Sequence, residues 1–295
     1  MANLWNPLYL PYGSLTNWYD STDTTTLTLS TNDTVADWRD KSYKANNLSE
    51  TDFAKLPLYG TTNINGLSTV DFDGGTAINL DIPETSIESP FYILFAGFQN
   101  DNSTTVKSTY FDISNTSDVD RLVLRLTGDG TGSPGANDLS QVLYKETGGT
   151  TGFTTINFSG VSAMDDQTVI YTANVTTTSL TAQYNLSETV IGTIPAGFAA
   201  NKLTLGASNN ELNGLNGQAG EFIIVQGGIT TDDVRKLEGY TAWKWGQEDN
   251  LPDGHPYKLA APTVTDVEFR NKLYETSTEE GSSRFRRLFA LGYVG

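Results

Sequence analysis

The chain has 295 residues, enough for a sizeable core, and no cysteine, which excludes a disulfide framework and thiolate metal sites. Its 18 basic and 35 acidic residues leave a net charge of −17, which repels phosphate backbones and excludes nucleic acid as a partner of the main domain. The longest apolar run, Phe91 to Phe98, is about eight residues against the roughly 20 that a membrane helix needs, so no membrane insertion is expected.

From the amino terminus, Met1-Ala2-Asn3-Leu4-Trp5-Asn6-Pro7 has neither the basic region nor the apolar core of a signal peptide. Residues 1–14 read as an N-terminal segment. Short β-rich runs then alternate with turn clusters, the pattern of a β-sandwich. Asp71-Phe72-Asp73-Gly74-Gly75 reads as a turn closing a strand, since Asp and Gly both favour turns. Phe91-Tyr92-Ile93-Leu94-Phe95-Ala96 is continuously apolar and predicts a central buried strand. Another strand is expected near Tyr110–Ile113. Arg121 to Leu126 alternates: Leu122, Leu124 and Leu126 share one face, and Arg121, Val123 and Arg125 share the other.

Gly130-Thr131-Gly132-Ser133-Pro134-Gly135 matches the dinucleotide glycine pattern in form. No helix follows to receive a pyrophosphate, so it reads as a hairpin loop. Strands are expected near Gln141–Lys145, Thr154–Phe158, Thr168–Asn174, Leu180–Tyr184, Lys202–Leu205 and Glu221–Val225, with a hairpin turn over Tyr184–Glu188. The pattern then changes. Thr230-Thr231-Asp232-Asp233 offers a hydroxyl cap with carboxylates in the first turn. Val234, Leu237 and Tyr240 follow at helical spacing, and Gly246 and Pro252 end the run. One short helix is therefore predicted over Thr231–Trp245. Gly239 within it costs about 1 kcal/mol relative to Ala, so packing by Trp243 and Trp245 must hold it. The segment 259–267, with Ala260-Ala261-Pro262, reads as a linker, and 268–295 as a tail.

Two blocks carry a resemblance. The first comprises Trp18-Tyr19-Asp20-Ser21-Thr22-Asp23, Val35-Ala36-Asp37-Trp38-Arg39-Asp40-Lys41-Ser42, Asn65-Gly66 and Val70-Asp71-Phe72-Asp73-Gly74. The second comprises Gly220-Glu221-Phe222-Ile223-Ile224-Val225, Leu237-Glu238-Gly239-Tyr240, Trp243-Lys244-Trp245-Gly246, Leu251-Pro252 and His255-Pro256-Tyr257. Together they resemble the LamG-like domains of the concanavalin A-like lectin/glucanase superfamily, of the type found in phage and viral structural proteins. The resemblance spans residues 15–258 and implies an all-β antiparallel sandwich in a jelly roll. The Ser-Gly familiar after the Trp-x-Asp motif is Ser42-Tyr43 here, so that turn is expected to be built differently. The fold hosts lectins, glycosidases and structural modules alike and does not settle function.

Catalytic sets are missing. Glycoside hydrolysis needs two carboxylates about 5–9.5 Å apart. No Glu-x-Asp-x-Glu-like triplet occurs; Asp71-x-Asp73 and Asp118-x-Asp120 are the closest pairs. The single histidine, His255, lies in the closing motif, where the resemblance makes it a structural end-piece, and no Gly-x-Ser-x-Gly elbow accompanies it. The chain is therefore expected not to be an enzyme. No cofactor is expected. Asp20, Asp23, Asp101, Asp118 and Asp120 are available to calcium, though no twelve-residue calcium loop is present.

For sugar binding, Arg121, Arg125 and Tyr144 are the candidates on an exposed face; the bland alternative is that Tyr144 packs over a neighbouring strand. In the tail, Arg284, Phe285, Arg286, Arg287, Leu288 and Phe289 combine residue types enriched at interface hot spots, on an otherwise acidic chain. They are expected to dock on a partner. The expectation is a virion structural or adhesion protein: a capsid decoration, head fibre or tail-fibre component. Its partners would be other virion proteins or copies of itself, with cell-surface glycan as a further ligand. The rivals are a carbohydrate-binding module at a bacterial cell surface and a glycoside hydrolase.

Overall fold

The computed structural model describes residues 3–74, 76, 78–81, 87–99, 108–115, 120–127, 138–147, 150–157, 167–186, 188–193, 198–208, 214–265, 268–269 and 271–272. In chain order the strands are β1 (Leu15–Asp20), β2 (Leu27–Leu29), β3 (Val35–Trp38), β4 (Leu48–Ser49), β5 (Leu58–Ile64), β6 (Leu67–Asp73) and β7 (Ile78–Asp81). Next come β8 (Ile87–Glu88), β9 (Phe91–Gln99), β10 (Ser108–Ser114), β11 (Asp120–Thr127), β12 (Asp138–Thr147) and β13 (Thr150–Asn157). The last are β14 (Gln167–Val175), β15 (Ser179–Tyr184), β16 (Glu188–Thr193), β17 (Ala199–Ala200), β18 (Lys202–Leu205) and β19 (Asn216–Gln226), followed by helix α1 (Thr231–Trp245).

The chain is an antiparallel β-sandwich. An eight-stranded sheet runs β16-β15-β14-β9-β19-β6-β5, with β1 also paired to β19; a nine-stranded sheet runs β13-β12-β11-β10-β18-β7-β4-β3-β2. Their facing sides make one core. Phe91, Ile93, Phe95, Tyr171 and Phe222 of the first sheet meet Phe111, Ile113, Leu122, Leu124 and Leu203 of the second, all fully buried. Aromatic pairs bind the layers: Phe111 lies 5.2 Å from Phe222 and 5.8 Å from Tyr171, ring centre to ring centre.

The continuous apolar run in β9 follows from burial on both faces. Its odd residues enter the core. Tyr92 and Leu94 face outward beside Trp18, Ile223 and Val225 of the same sheet, in one buried cluster with Trp5, Leu10 and Leu237. Helix α1 and the N-terminal segment thus cap the outer face of the eight-stranded sheet. The helix begins at a capping box: Thr230 Oγ1 accepts from Asp233 N at 3.1 Å, and Asp233 accepts from Thr230 N. It ends at Gly246, whose φ of 69° is left-handed. At Gly239 a Cβ would stand 2.6 Å from Tyr257 Cβ, so the glycine admits the closing segment against the helix. The residues read as a linker also make contacts: Trp5 N donates to Pro262 O, and Val264 N to Asn3 O.

The hairpin turn at Asn185-Leu186 has φ of 45° and 63°, and Asn65-Gly66 joins β5 to β6 with φ of 50° and 75°. Asp71 corrects the turn reading. It lies inside β6, where its carboxylate accepts from Thr61 N, Thr62 N and the Thr69 hydroxyl; the strand closes at Asp73, before Gly74. No helix among the described residues is long and apolar enough to cross a membrane.

Candidate functional site

Two polar regions distinguish the sandwich. The first lies where the opening and closing sequence blocks meet. Glu221 projects from β19 and is fully buried. Its Oε1 accepts from Trp18 Nε1 at 2.7 Å and Tyr240 Oη at 2.9 Å; its Oε2 accepts from Trp245 Nε1 at 2.9 Å and pairs with Lys244 Nζ at 3.2 Å. Lys244 Nζ also reaches Asp20 Oδ1 at 2.7 Å, and Lys41 Nζ reaches Asp20 Oδ2 at 2.8 Å and Asp23 Oδ2 at 3.1 Å. Burial opposes the charge on Asp20, but the two ammonium groups outweigh it and hold its carboxyl well below the usual range. Lysines therefore stand against the carboxylates that the sequence offered to calcium at Asp20 and Asp23. Asp120 accepts from Ala199 N at 2.9 Å, while Asp101 and Asp118 lie outside the described residues. Among the described residues, no group of three His, Asp or Glu gathers as for a metal ion.

Beside this node, His255 Nε2 lies 3.2 Å from Glu238 Oε2 on α1. Tyr257 N donates to His255 Nδ1, which leaves the proton on Nε2, directed at Glu238. Burial pushes the Glu238 carboxyl up to about 7, against the pull of Arg235; burial and Arg235 together push His255 down. Sequence reasoning passed over Glu238. The available signal was its place on the buried stripe of α1, with Leu237, Thr241 and Trp245.

The second region is the outer face of the nine-stranded sheet. Register sets Ser114, Asp112 and Thr109 of β10 opposite Arg121, Val123 and Arg125 of β11, and Lys202 and Thr204 of β18 opposite Ser114 and Asp112. Directly opposed residues share a face. Asp112 is fully buried there, and Arg121 donates to its Oδ2 through Nε, at 2.9 Å, and through Nη2. The Thr109, Ser114 and Thr204 hydroxyls are also buried, and among the described residues they have no hydrogen-bond partner.

The predicted sugar-contact residues thus meet on one sheet. Arg121 and Arg125 share the outer face, and the backbone of Tyr144 in β12 pairs opposite Arg121. The face is not the exposed one expected: Thr109, Asp112, Ser114, Val123 and Thr204 are buried on it, Arg121 and Arg125 are half-buried, and Arg121 is tied to Asp112. The docking residues Arg284, Phe285, Arg286, Arg287, Leu288 and Phe289 lie outside the described residues, as does the Gly130–Gly135 loop.

No protein-family model and no curated protein matches the chain. Among solved structures it is similar to domain 4 of AbnA, a GH43 extracellular arabinanase from Geobacillus stearothermophilus in complex with arabinotriose. Identity is 16%, over 76% of this chain and 98% of that one, with a TM-score of 0.47. It is similar to full-length tailspike protein 2 from Escherichia coli O157:H7 bacteriophage CAB120 at 11% identity, over 70% of this chain and 27% of that one, with a TM-score of 0.45. A third is the Ruminococcus gnavus IT-sialidase CBM40 bound to alpha2,3 sialyllactose, at 12% identity over 56% and 93%, with a TM-score of 0.42. Likeness at these scores carries no functional inference.

Proposed function

We propose that this protein is a non-enzymatic adhesion or structural module that holds a glycan on the outer face of the nine-stranded sheet. The observation that carries this reading is the Thr109, Ser114 and Thr204 hydroxyl row beside the Arg121–Asp112 pair. A buried hydroxyl without a partner is costly, and three on a single sheet face support a polyhydroxylated ligand that completes them. The three hydroxyls are buried, so this reading requires the face to open for the ligand. Thr204→Val and Ser114→Ala would weaken glycan binding while leaving the melting temperature in place. Equal binding by both variants on a glycan array would end the assignment of this face.

The proposed setting is a virion, as a capsid decoration, head fibre or tail-fibre component, with attachment through Arg284 to Phe289 to other virion proteins or to further copies. Mass spectrometry of purified particles tests it; recovery from a bacterial surface and not from particles favours the cell-surface module instead. Deleting Ser282 to Gly295 should leave the melting temperature nearly unchanged and abolish oligomerisation or particle attachment. A loss of several degrees with normal assembly would instead assign the tail to the domain's own core.

Absence of catalysis is part of the proposal. Glu221, Asp20, Asp40, Asp71 and Asp112 are each held by protein donors. Among the described residues, Glu238 is the observation that favours a hydrolase, since a carboxyl near 7 suits a general acid. It is packed against His255 under the closing segment. Reducing-sugar release from a polysaccharide panel, abolished by Glu238→Gln, would overturn the non-enzymatic reading.

A further inference from the structure

Asp20, the last residue of β1, meets Lys244 in the last turn of α1, 224 positions along the chain. Their side chains are only 5% and 14% exposed, and Glu221 beside them is fully buried. Each atom of the pair is separately held. Lys244 Nζ lies 2.7 Å from Asp20 Oδ1, 3.2 Å from Glu221 Oε2 and 3.1 Å from Tyr240 Oη, with the Trp245 ring centre 5.3 Å away. Asp20 Oδ1 also accepts from Thr22 N at 3.1 Å and from the Thr22 hydroxyl at 2.7 Å. Asp20 Oδ2 instead faces Lys41 Nζ, at 2.8 Å.

An ion pair needs only the first of these contacts; together they supply the parts of an amide-forming site. An amine at hydrogen-bond distance from a carboxyl oxygen is within attack range of the carbon one bond beyond, and fixing the two groups replaces the concentration that condensation lacks in water. Glu221 Oε2 is placed to take a proton from the Lys244 ammonium. The Thr22 N–H and hydroxyl are placed to hold negative charge on Oδ1 as the tetrahedral centre forms. Lys41 is placed to protonate Oδ2, the oxygen that must leave. The two ammonium groups that hold Asp20 as a carboxylate also make the step slow, since a proton must pass to Oδ2 before attack. Enclosure acts the other way: burial penalises two charges and spares a neutral amide.

We propose that Lys244 and Asp20 condense after folding to an intramolecular isopeptide bond. The Nζ–Cγ bond forms and the Cγ–Oδ2 bond breaks. Of the three ammonium protons on Lys244, one stays on the amide nitrogen and a net two leave with Oδ2 as water. Glu221 and Lys41 relay protons and return to their starting states. The charges of ammonium and carboxylate cancel, and nothing is oxidised or reduced. The reaction is a single turnover on the chain itself, so it leaves the non-enzymatic reading as it stands, and it does not depend on a glycan. The bond ties β1 to α1, and strands β2 to β19 all lie within the loop it closes.

The test is intact mass spectrometry of the full chain, purified folded and held at neutral pH for several days. The expected mass is one water below the sequence mass. Trypsin then releases a branched peptide that joins the fragment ending at Arg39 to residues 237–258, uncleaved at Lys244. Lys244→Arg keeps the charge but offers no primary amine. It carries its full sequence mass and, boiled in detergent, migrates apart from the internally cross-linked wild type. Glu221→Gln slows the loss of water about a hundredfold, as removal of a proton acceptor should; an unchanged rate overturns its part in the step. A folded wild type at its full sequence mass overturns the proposal. So does a loss of water that maps to a linear peptide, the mark of an aspartyl succinimide, or to a cross-link at Lys41.

Discussion

The Glu221 node and the Asp112 face both bury a carboxylate against a cation, yet they are finished differently. Around Glu221 every carboxylate oxygen has donors: two indoles, a phenol and Lys244, with Lys41 and Asp20 extending the network. Around Asp112 the arginine is supplied, but three neighbouring hydroxyls are left without partners among the described residues. The first region is chemically closed and joins the two ends of the domain. The second retains hydrogen-bonding capacity that the described protein does not use. The proposed glycan face therefore rests on residual capacity around a buried charge and not on the charge alone.

The largest expected effect tests the closed region. Glu221→Ala strips two indole N–H groups, a phenol and an ammonium of their acceptor at once and should cost about 3–5 kcal/mol in urea unfolding. A loss below about 1 kcal/mol would mean that the node is not a structural lock.

The next effect depends on pH. Glu238 has a folded-state pKa near 7 against an ordinary 4.5, so its stabilising neutral form is fully present below about 4.5. That contribution is lost as pH rises through 7, roughly 3 kcal/mol in all. His255 acts in the opposite sense: its folded-state value is lowered, so its contribution is lost as pH falls through and below its ordinary 6.5. Glu238→Gln should therefore remove the decline on the alkaline side and leave the acid side. Parallel stability profiles for both proteins between pH 5 and 8 would contradict this.

A smaller effect is expected at the second carboxylate. Arg121→Ala leaves Asp112 buried without its guanidinium. Arg121 is partly exposed and the freed carboxyl can take up a proton, so a cost of about 2 kcal/mol is expected. Replacing both by leucine should recover most of it. If the double variant is as unstable as the single one, the pair itself holds the sheet.

The sequence made the scaffold readable and left the node hidden. Helix α1 was legible because its signals are local: Thr230 and Asp233 at one end, Gly246 at the other. β9 was legible because six consecutive apolar residues need cover on both faces. The resemblance singled out Trp18, Asp20, Lys41, Glu221 and Lys244, but their contacts bridge up to 224 positions, and no periodicity reports such a contact. Arg121 and Arg125 were placed on the correct sheet face by alternation alone. Asp112 was not placed with them, because pairing register between strands is a tertiary property. Tyr43 was noticed as a departure, and its stacking partner Tyr12 was not, for the same reason.

The smallest effect on stability discriminates most sharply, because one chemical change is made in both regions. Ser42→Ala removes a hydroxyl that donates its single proton to Asp40 Oδ2 at 2.6 Å, lies 3.0 Å from Thr16 O and accepts from Lys44 N at 3.1 Å. One donated and one accepted hydrogen bond are lost and the Asp40 carboxylate stays buried, so about 2 kcal/mol of stability should go. Thr204→Val removes a fully buried hydroxyl with no partner among the described residues, and its shape is kept. There the desolvation penalty disappears with the hydroxyl, so stability should stay level or rise by up to about 1 kcal/mol. Opposite signs from paired urea titrations would separate a polar group spent on the fold from one held in reserve. If Thr204→Val instead costs as much as Ser42→Ala, that hydroxyl is satisfied within the protein, and the outer face is as closed as the node.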